Sequence, residues 1–337
     1  MALAELWQAV RDLPSLTIIG TTKNAGKTTT LNWLLRQHAQ AGQRVGLTSV
    51  GHDGEVQDTV TGKEKPRIWV VRGTLVATAE AAARRSAPMQ LIQPLPMRSP
   101  MGPIGIYEAS QDGEIEVAGP ITVQDLRKTI AALKDRGIDR MLVDGAIDRR
   151  AAATSGVCDG VLLATGTVLA PSAAEVATVT AQRVGLLVLP PAPNEWPSPP
   201  ETSAWLDHDG TWQPIPYASW LEHGVEIAGQ LSQAQAINIS GALTDRVLDA
   251  LLRTPGFPAC PILVRDGTCL ILSEPVDSAY RRRGGRYYAR QPLQLVGVTV
   301  NPLNPEEPTD VEPDVLQQAV ASALHHAVPV ADVVHGH

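Results

Sequence analysis

The 337-residue chain is 44% hydrophobic and 19% charged, which suits a globular protein with one large core or two smaller ones and excludes a disordered or coiled-coil chain. A formal charge of −7 argues against a protein built to grip nucleic acid, because a phosphate-tracking surface needs a surplus of lysine and arginine, so no DNA partner is expected. Cys158, Cys260 and Cys269 lack the paired spacing of a disulfide framework or zinc site; the N-terminus shows no secretory pattern and no apolar run nears the roughly 18 residues that cross a bilayer, so a cytoplasmic chain with no membrane partner is expected.

From Leu16 to Pro190, short apolar runs alternate with amphipathic segments, the rhythm of an α/β fold with a mostly parallel sheet and helices on both faces. A strand over Leu16–Gly20 leads into a helix from Lys27 to about Gln40, where Leu31, Leu34 and Leu35 share a face and Gly42 supplies the stop. Strands follow over Val45–Val50 and Arg67–Val71. Thr122 is placed to cap a helix with Asp125 in its first turn, an apolar stripe at Leu126, Ile130 and Leu133, and Gly137 at its end. Further strands are predicted over Arg140–Asp144, Val161–Thr165 and Val184–Leu189. Between Pro190 and Pro216, prolines and Trp196, Trp205 and Trp212 crowd a stretch without periodicity, which predicts a linker or long surface loop. Strand and helix signals then resume, at Ala236–Gly241, Asp245–Leu252, Pro261–Arg265, Leu293–Val300, after Pro313 and over Val328–Val334. The expected organisation is a nucleotide-binding domain over 1–190, a linker over 191–220, and an α/β region over 221–337 that is either separate or completes the same sheet.

The strongest motif lies between the first strand and its helix. In Gly20-Thr21-Thr22-Lys23-Asn24-Ala25-Gly26-Lys27-Thr28-Thr29, a tight loop opening a helix aims backbone N–H groups at one point, where the helix dipole adds positive potential and a phosphate is the natural occupant. Gly26 permits close backbone approach, Lys27 offers an ammonium to the β and γ phosphates, and Thr28 offers a hydroxyl to magnesium. These are the features of a P-loop for ATP or GTP with Mg2+, its backbone contacts running from Thr22 through Thr29. The usual pattern places a glycine where this chain has Thr21, so the first glycine comes one residue early.

Magnesium between two phosphates keeps several waters and needs one or two carboxylates at neighbouring strand ends. Asp144, closing the apolar strand Met141-Leu142-Val143 ahead of Gly145-Ala146, is the first choice; a strand-end aspartate making a turn is the plain alternative. Asp53 and Glu55, in Val50-Gly51-His52-Asp53-Gly54-Glu55, are placed to orient magnesium or an attacking water, although an Asp-Gly turn explains the same composition. Lys63 and Lys65 suit phosphate contact or a solvated charge cluster equally well. Asp148-Arg149-Arg150 could supply an arginine to transition-state charge in its own or a paired subunit, and a plain exposed basic turn is the stronger reading there. Asn301, ending Leu295–Val300, carries an amide able to donate and accept toward a purine edge, or else starts an Asn-Pro turn. No Asn-Lys-x-Asp guanine signature occurs, which favours ATP.

The arrangement Gly-Thr, three residues, a small apolar residue and Gly-Lys-Thr resembles the dethiobiotin-synthetase branch of P-loop proteins, part of a class that includes dimeric ATPases, so a homodimer is compatible with it. In that branch an asparagine at the position matched by Asn301 reads adenine. The segments Lys23–Thr29, Thr48–Glu55, Thr61–Pro66, Ala77–Glu80, Ala118–Pro120 and Leu142–Ala146 together resemble the P-loop subunit of the lysine 5,6-aminomutase reactivase, over roughly the first half of the chain in order. His52 and Asp148-Arg149-Arg150 depart from that family's pattern. The resemblance implies a helper ATPase, with Lys27, Asp53 and Asp144 as catalytic residues, that couples ATP hydrolysis to release of damaged cobalamin from an adenosylcobalamin-dependent aminomutase, alongside a MutS-like reactivase subunit. No Asp-x-His-x-x-Gly cobalamin-ligand motif occurs in the chain, in keeping with a helper rather than the mutase. Two other readings stay open: an ATP-dependent ligase of dethiobiotin-synthetase type acting on a small carboxylate, and a non-hydrolysing scaffold.

Overall fold

The computed structural model describes all residues except 1, 51–66, 146–157, 218–222, 224–226, 228, 230, 255, 256, 258, 259, 306–310, 336 and 337. The chain divides into two compact units, Met1–Arg183 with Gln294–His337, and Val184–Leu293.

In the first unit, α1 (Ala2–Val10) precedes β1 (Ser15–Gly20), α2 (Lys27–Gln40) and β2 (Val45–Ser49). Then come β3 (Ile68–Val70), β4 (Leu75–Ala79), the short α3 (Glu80–Ala83), β5 (Met89–Ser99), β6 (Gly102–Ala109) and β7 (Gly113–Ile115). After them α4 (Val123–Lys134) leads to β8 (Arg140–Asp144) and β9 (Gly160–Gly166), and α5 (Ala173–Leu187) follows, its last turn from Val184 belonging to the second unit. The second unit holds β10 (Ala204–Leu206), β11 (Trp212–Pro214), β12 (Ala236–Ile239), β13 (Leu243–Thr244), α6 (Asp245–Arg253), β14 (Ile262–Val264), β15 (Leu270–Ile271), α7 (Glu274–Arg282) and β16 (Tyr287–Ala289). The chain returns to the first unit with β17 (Leu295–Asn301), α8 (Pro313–Ala323) and β18 (Val330–Asp332).

The fold is α/β around a nine-stranded sheet of order β18-β17-β9-β1-β8-β2-β4-β6-β5. Every pairing from β18 to β4 is parallel, and at one edge the reversed strand β6 pairs antiparallel with both β4 and β5. The inner strands are apolar on both faces because helices cover both: Leu142 joins a core with Leu31 and Leu34 of α2 and Leu6 of α1, while its neighbours Met141 and Val143 point into a second core with Leu126, Ile130 and Leu133 of α4. The edge strand β5 is largely solvated and carries Pro94 and Pro96, whose missing N–H groups cost little there. The predicted cap of α4 forms, with Thr122 accepting from the Asp125 N–H at 3.1 Å, and Gly42 and Gly137 adopt the positive φ of 68° and 73° that ends α2 and α4.

Three expectations change. The apolar run Val184–Leu189 predicts a strand, but residues 184–187 form the last turn of α5. Val176, Thr180 and Leu187 are buried at helical spacing, and a short apolar run cannot reveal by itself which period it belongs to. The stretch 191–220 carries β10 and β11 rather than a bare linker, as part of the second unit's five-stranded sheet of order β11-β10-β12-β14-β16. Its strands are too short to show a period, and packing comes from aromatic clamps: Trp196 meets Trp212 edge-on at 6.5 Å and Tyr288 at 5.3 Å. Residues 221–337 are split, with 294–337 completing the first sheet and 184–293 forming the second unit.

Among the described residues no helix is long and apolar enough to cross a membrane. His38 is fully buried beneath Trp7, with ring centroids 4.9 Å apart, and its Nδ1 lies 2.6 Å from Gln43 Oε1. Burial lowers its pKa below the ordinary 6.5; the Gln43 hydrogen bond opposes that shift and Arg140 adds to it. The unfolded chain therefore binds more protons than the folded one just below pH 6.5, so stability present above that pH is lost on acidification. Urea midpoints should fall between pH 7 and 5 more steeply in the wild type than in His38→Gln, and equal slopes would remove His38 from the account.

Candidate functional site

Because β8, β1, β9 and β17 are parallel, their carboxyl ends open on one edge of the sheet. From β1 the chain moves through α2 to β2, two strands away on one side, while β9 lies against β1 on the other. Such a reversal leaves a crevice at the strand ends, the usual ligand position in open α/β sheets.

The loop from Thr21 to Gly26 fills this position. Asn24 has φ 62° and Gly26 φ 100°, and left-handed residues set among right-handed ones curl a chain so that its N–H groups face one concavity. Thr21 is nearly buried and turned onto β9, its N–H donating to the Ala164 carbonyl at 2.9 Å and its hydroxyl within 3.3 Å of the same oxygen. That orientation keeps its side chain out of the loop, which explains how threonine stands where a glycine is usual. At Gly20 a Cβ would come within 2.9 Å of Lys27 Cγ, so the early glycine is the one that lets the Lys27 stem lie back over the end of β1.

The start of α2 breaks two helix rules. Its N-cap, Gly26, makes no side-chain hydrogen bond and its first turn holds no acid, yet Lys27 adds positive charge to the positive end of the dipole. Uncapped amides together with a cation suit an anion, and conflicts of this kind concentrate at functional positions. Thr28 and Thr29 complete the first turn. Thr30, fully buried, donates to the Gly26 carbonyl at 3.0 Å, so the 2.7 Å contact with Thr299 is a hydrogen bond given by Thr299. This link ties the α2 start to β17.

Asn301 ends β17 directly against the loop: a Cβ on Gly26 would lie 2.9 Å from Asn301 Cβ and 3.5 Å from its Nδ2. Its Oδ1 accepts from the Leu303 N–H at 3.1 Å, which fixes the amide and leaves the NH2 group on the Gly26 side. The Asn301 carbonyl accepts from the Thr167 N–H at 3.1 Å, and the Thr167 hydroxyl donates to the Pro302 carbonyl at 2.9 Å. An NH2 donor is accepted by N7 of either purine, so an amide held in this way does not by itself separate adenine from guanine. Gly166, where a Cβ would stand 2.4 Å from the Asn301 carbonyl oxygen, keeps β9 and β17 close enough for the arrangement.

On the other side of β1, Asp144 pairs in register with Ile18 and with Ser49 of β2. Its carbonyl accepts from the Val50 N–H at 3.1 Å, and the Gly145 N–H donates to the Ile18 carbonyl at 2.9 Å. The half-buried carboxylate thus stands one strand from the loop. Thr28 and Asp144 are two protein oxygen donors on neighbouring elements, which fits a magnesium ion that keeps most of its waters. Among the described residues no group of three or more His, Cys, Asp or Glu gathers as a ready metal cage.

The structure brings Thr22, Lys23, Asn24, Ala25, Gly26, Lys27, Thr28, Thr29 and Asn301 to one place, with Asp144 on the adjacent strand. Asp53 and Glu55, with His52, Lys63, Lys65, Asp148, Arg149 and Arg150, lie outside the described residues. Thr30, Gly166, Thr167 and Thr299 carry no motif of their own: they are small or hydroxylated residues that the pairing of β9 with β17 and the Thr30–Thr299 contact bring together. No protein-family model, curated protein or solved structure matches the chain, so a functional reading rests on its own residues.

Proposed function

We propose that the first unit has a P-loop nucleotidase fold and binds ATP with magnesium at the β1–α2 loop, hydrolysing the terminal phosphoanhydride. The observation that carries this reading is the Gly26 junction, whose positive φ, missing Cβ and contact with Asn301 create a close backbone approach beside an uncapped helix start bearing Lys27. In this reading the loop amides and Lys27 hold the phosphates, Thr28 and Asp144 hold magnesium, and the Asn301 amide meets the base edge. Magnesium would neutralise phosphate charge and orient the terminal group. Asp53 and Glu55 are proposed as further acids on the sequence alone.

The wider role, reactivation of an adenosylcobalamin-dependent aminomutase of the lysine 5,6-aminomutase type alongside a MutS-like subunit, is supported by the resembling segments and by nothing else in the molecule. The test is phosphate release from ATP and GTP with magnesium, alone and with an inactivated adenosylcobalamin aminomutase. Slow basal turnover that rises with the inactivated enzyme is expected. Turnover that depends strictly on a small carboxylate would replace this role with the ligase, and no turnover under any condition would remove both.

A further inference from the structure

The second unit carries an arrangement unrelated to the β1–α2 loop. Its strands β12, β14 and β16 are parallel and pair in one row through Ile239, Val264 and Ala289. The next row, beyond their carboxyl ends, is Ser240, Arg265 and Arg290, held by the Arg290 N–H donating to the Val264 carbonyl and the Gln291 N–H to the Arg265 carbonyl, both at 2.9 Å. Two guanidinium groups therefore leave adjacent strands at the edge where parallel sheets receive ligands.

Neither guanidinium is used up by the protein. Arg290 is 13% exposed, and among the described residues its buried Nε has no hydrogen-bond partner. Among those residues its Nη1 reaches the Pro200 carbonyl at 3.3 Å and a Glu201 oxygen at 3.5 Å. Arg265 gives its Nε to Asp266 Oδ2 at 2.9 Å. Asp266 is fully buried and also accepts the Thr268 N–H at 2.9 Å. Among the described residues the Nη groups of Arg265 have no hydrogen-bonded acceptor. Burial opposes the charge of Arg265, yet Asp266 raises its pKa and Glu201 adds to that effect. Beside them, Asn238 is fully buried, with its Nδ2 donating to the Pro200 and Thr202 carbonyls and its Oδ1 unpartnered. Ser240 Oγ lies 3.1 Å from Ser203 Oγ.

A buried donor without an acceptor costs about 1–3 kcal/mol, and more for a charged group, so such groups are rare unless something outside the chain completes them. A single bridging water between Arg290 Nε and Asn238 Oδ1 still leaves Arg290 Nη2 and both Nη groups of Arg265 without an acceptor among the described residues. Paired arginines with hydroxyls beside them match an oxyanion, which guanidinium binds bidentately. Glu201 acts on both arginines, and its side chain is 95% exposed, with one long contact to Arg290 among the described residues. It acts as a displaceable stand-in.

We propose that Arg265 and Arg290, at the carboxyl ends of β14 and β16, form a second binding site in this protein, for the carboxylate or phosphate group of a small molecule, with Glu201 covering it when the site is empty.

The test uses the full chain carrying Lys27→Ala, which weakens phosphate binding at the β1–α2 loop, with inorganic phosphate and succinate titrated separately by calorimetry; phosphate still held by the loop amides is unmoved by Arg265→Gln. Saturable binding of at least one anion is expected, and which one binds separates the two sources of the group. Arg265→Gln should weaken that binding about 10-fold or more, the loss of one charge-assisted pair. Glu201→Gln, which removes the competing carboxylate, should tighten it. Arg290→Gln should behave as Arg265→Gln where it folds; since Arg265 is 35% exposed and Glu201 lies at the surface, those two variants decide the matter if it does not. Failure of both anions to bind, or binding unchanged by Arg265→Gln, overturns the proposal. Neither result bears on nucleotide binding by the first unit.

Discussion

Lys27→Ala is expected to lower magnesium-dependent ATP hydrolysis by about 100-fold or more, the usual loss when one preorganised donor to transition-state charge is removed. The lysine stem lies over Gly20 and extends from the first position of α2, so alanine withdraws the ammonium and leaves the backbone concavity as it is. Stability should move the other way. At the first position of a helix a cation faces the positive end of the dipole, and alanine is the better helix former, so the variant should melt at the wild-type temperature or slightly above it, by a few tenths of a kcal/mol. A residue kept for packing would lose stability and leave turnover alone. Phosphate-release rates and a thermal melt on the same preparations separate the two cases, and unchanged turnover in the variant would end the hydrolase reading.

The α/β rhythm, the strands β1, β2, β8 and β9, and the caps of α4 were legible because long parallel strands and amphipathic helices write their periods into the sequence. The loop at Gly26 was legible as a tight strand-to-helix turn because a positive φ ahead of a helix calls for glycine. What stayed hidden was set by pairing over long sequence distances. Asn301 could be nominated as a base reader, but its contact with Gly26 depends on β17 returning to β9 after the 110-residue excursion from Val184 to Leu293. Thr30 looks like any threonine in a helix until Thr299 meets it. The hairpin of β5 and β6 was missed because two prolines and a half-solvated pattern in β5 mimic a loop. Arg265 and Arg290 left no motif, since their meeting depends on the register of three-residue strands.

Gly119→Ala and Gly185→Ala should shift stability in opposite directions. Gly119 sits in the strap after β7 that crosses the ends of β2 and β4: the Ala79 N–H donates to the Ala118 carbonyl at 2.9 Å, the Ala118 N–H to Thr78 Oγ1 at 2.8 Å, and the Gly119 N–H to Ser49 Oγ at 2.9 Å. A Cβ at Gly119 would stand 1.9 Å from the Ser49 carbonyl oxygen and 2.8 Å from its carbon. Backbone cannot yield as a side-chain tip can, so the strap must lift, stretching these bonds and uncovering the strand that pairs Ser49 with Asp144. The cost is that of overpacking, about 2–3 kcal/mol, or roughly 5–10 °C in Tm for a unit of this size. Gly185 lies within α5, and a Cβ there meets nothing within 4 Å. Alanine at that position removes unfolded-state freedom and improves helix propensity, a gain of about 0.5–1 kcal/mol. Thermal melts of both variants beside the wild type test the pair. Coincident curves for Gly119→Ala and wild type would mean that the strap does not hold the end of β2, and with it the setting of Asp144, in the way described.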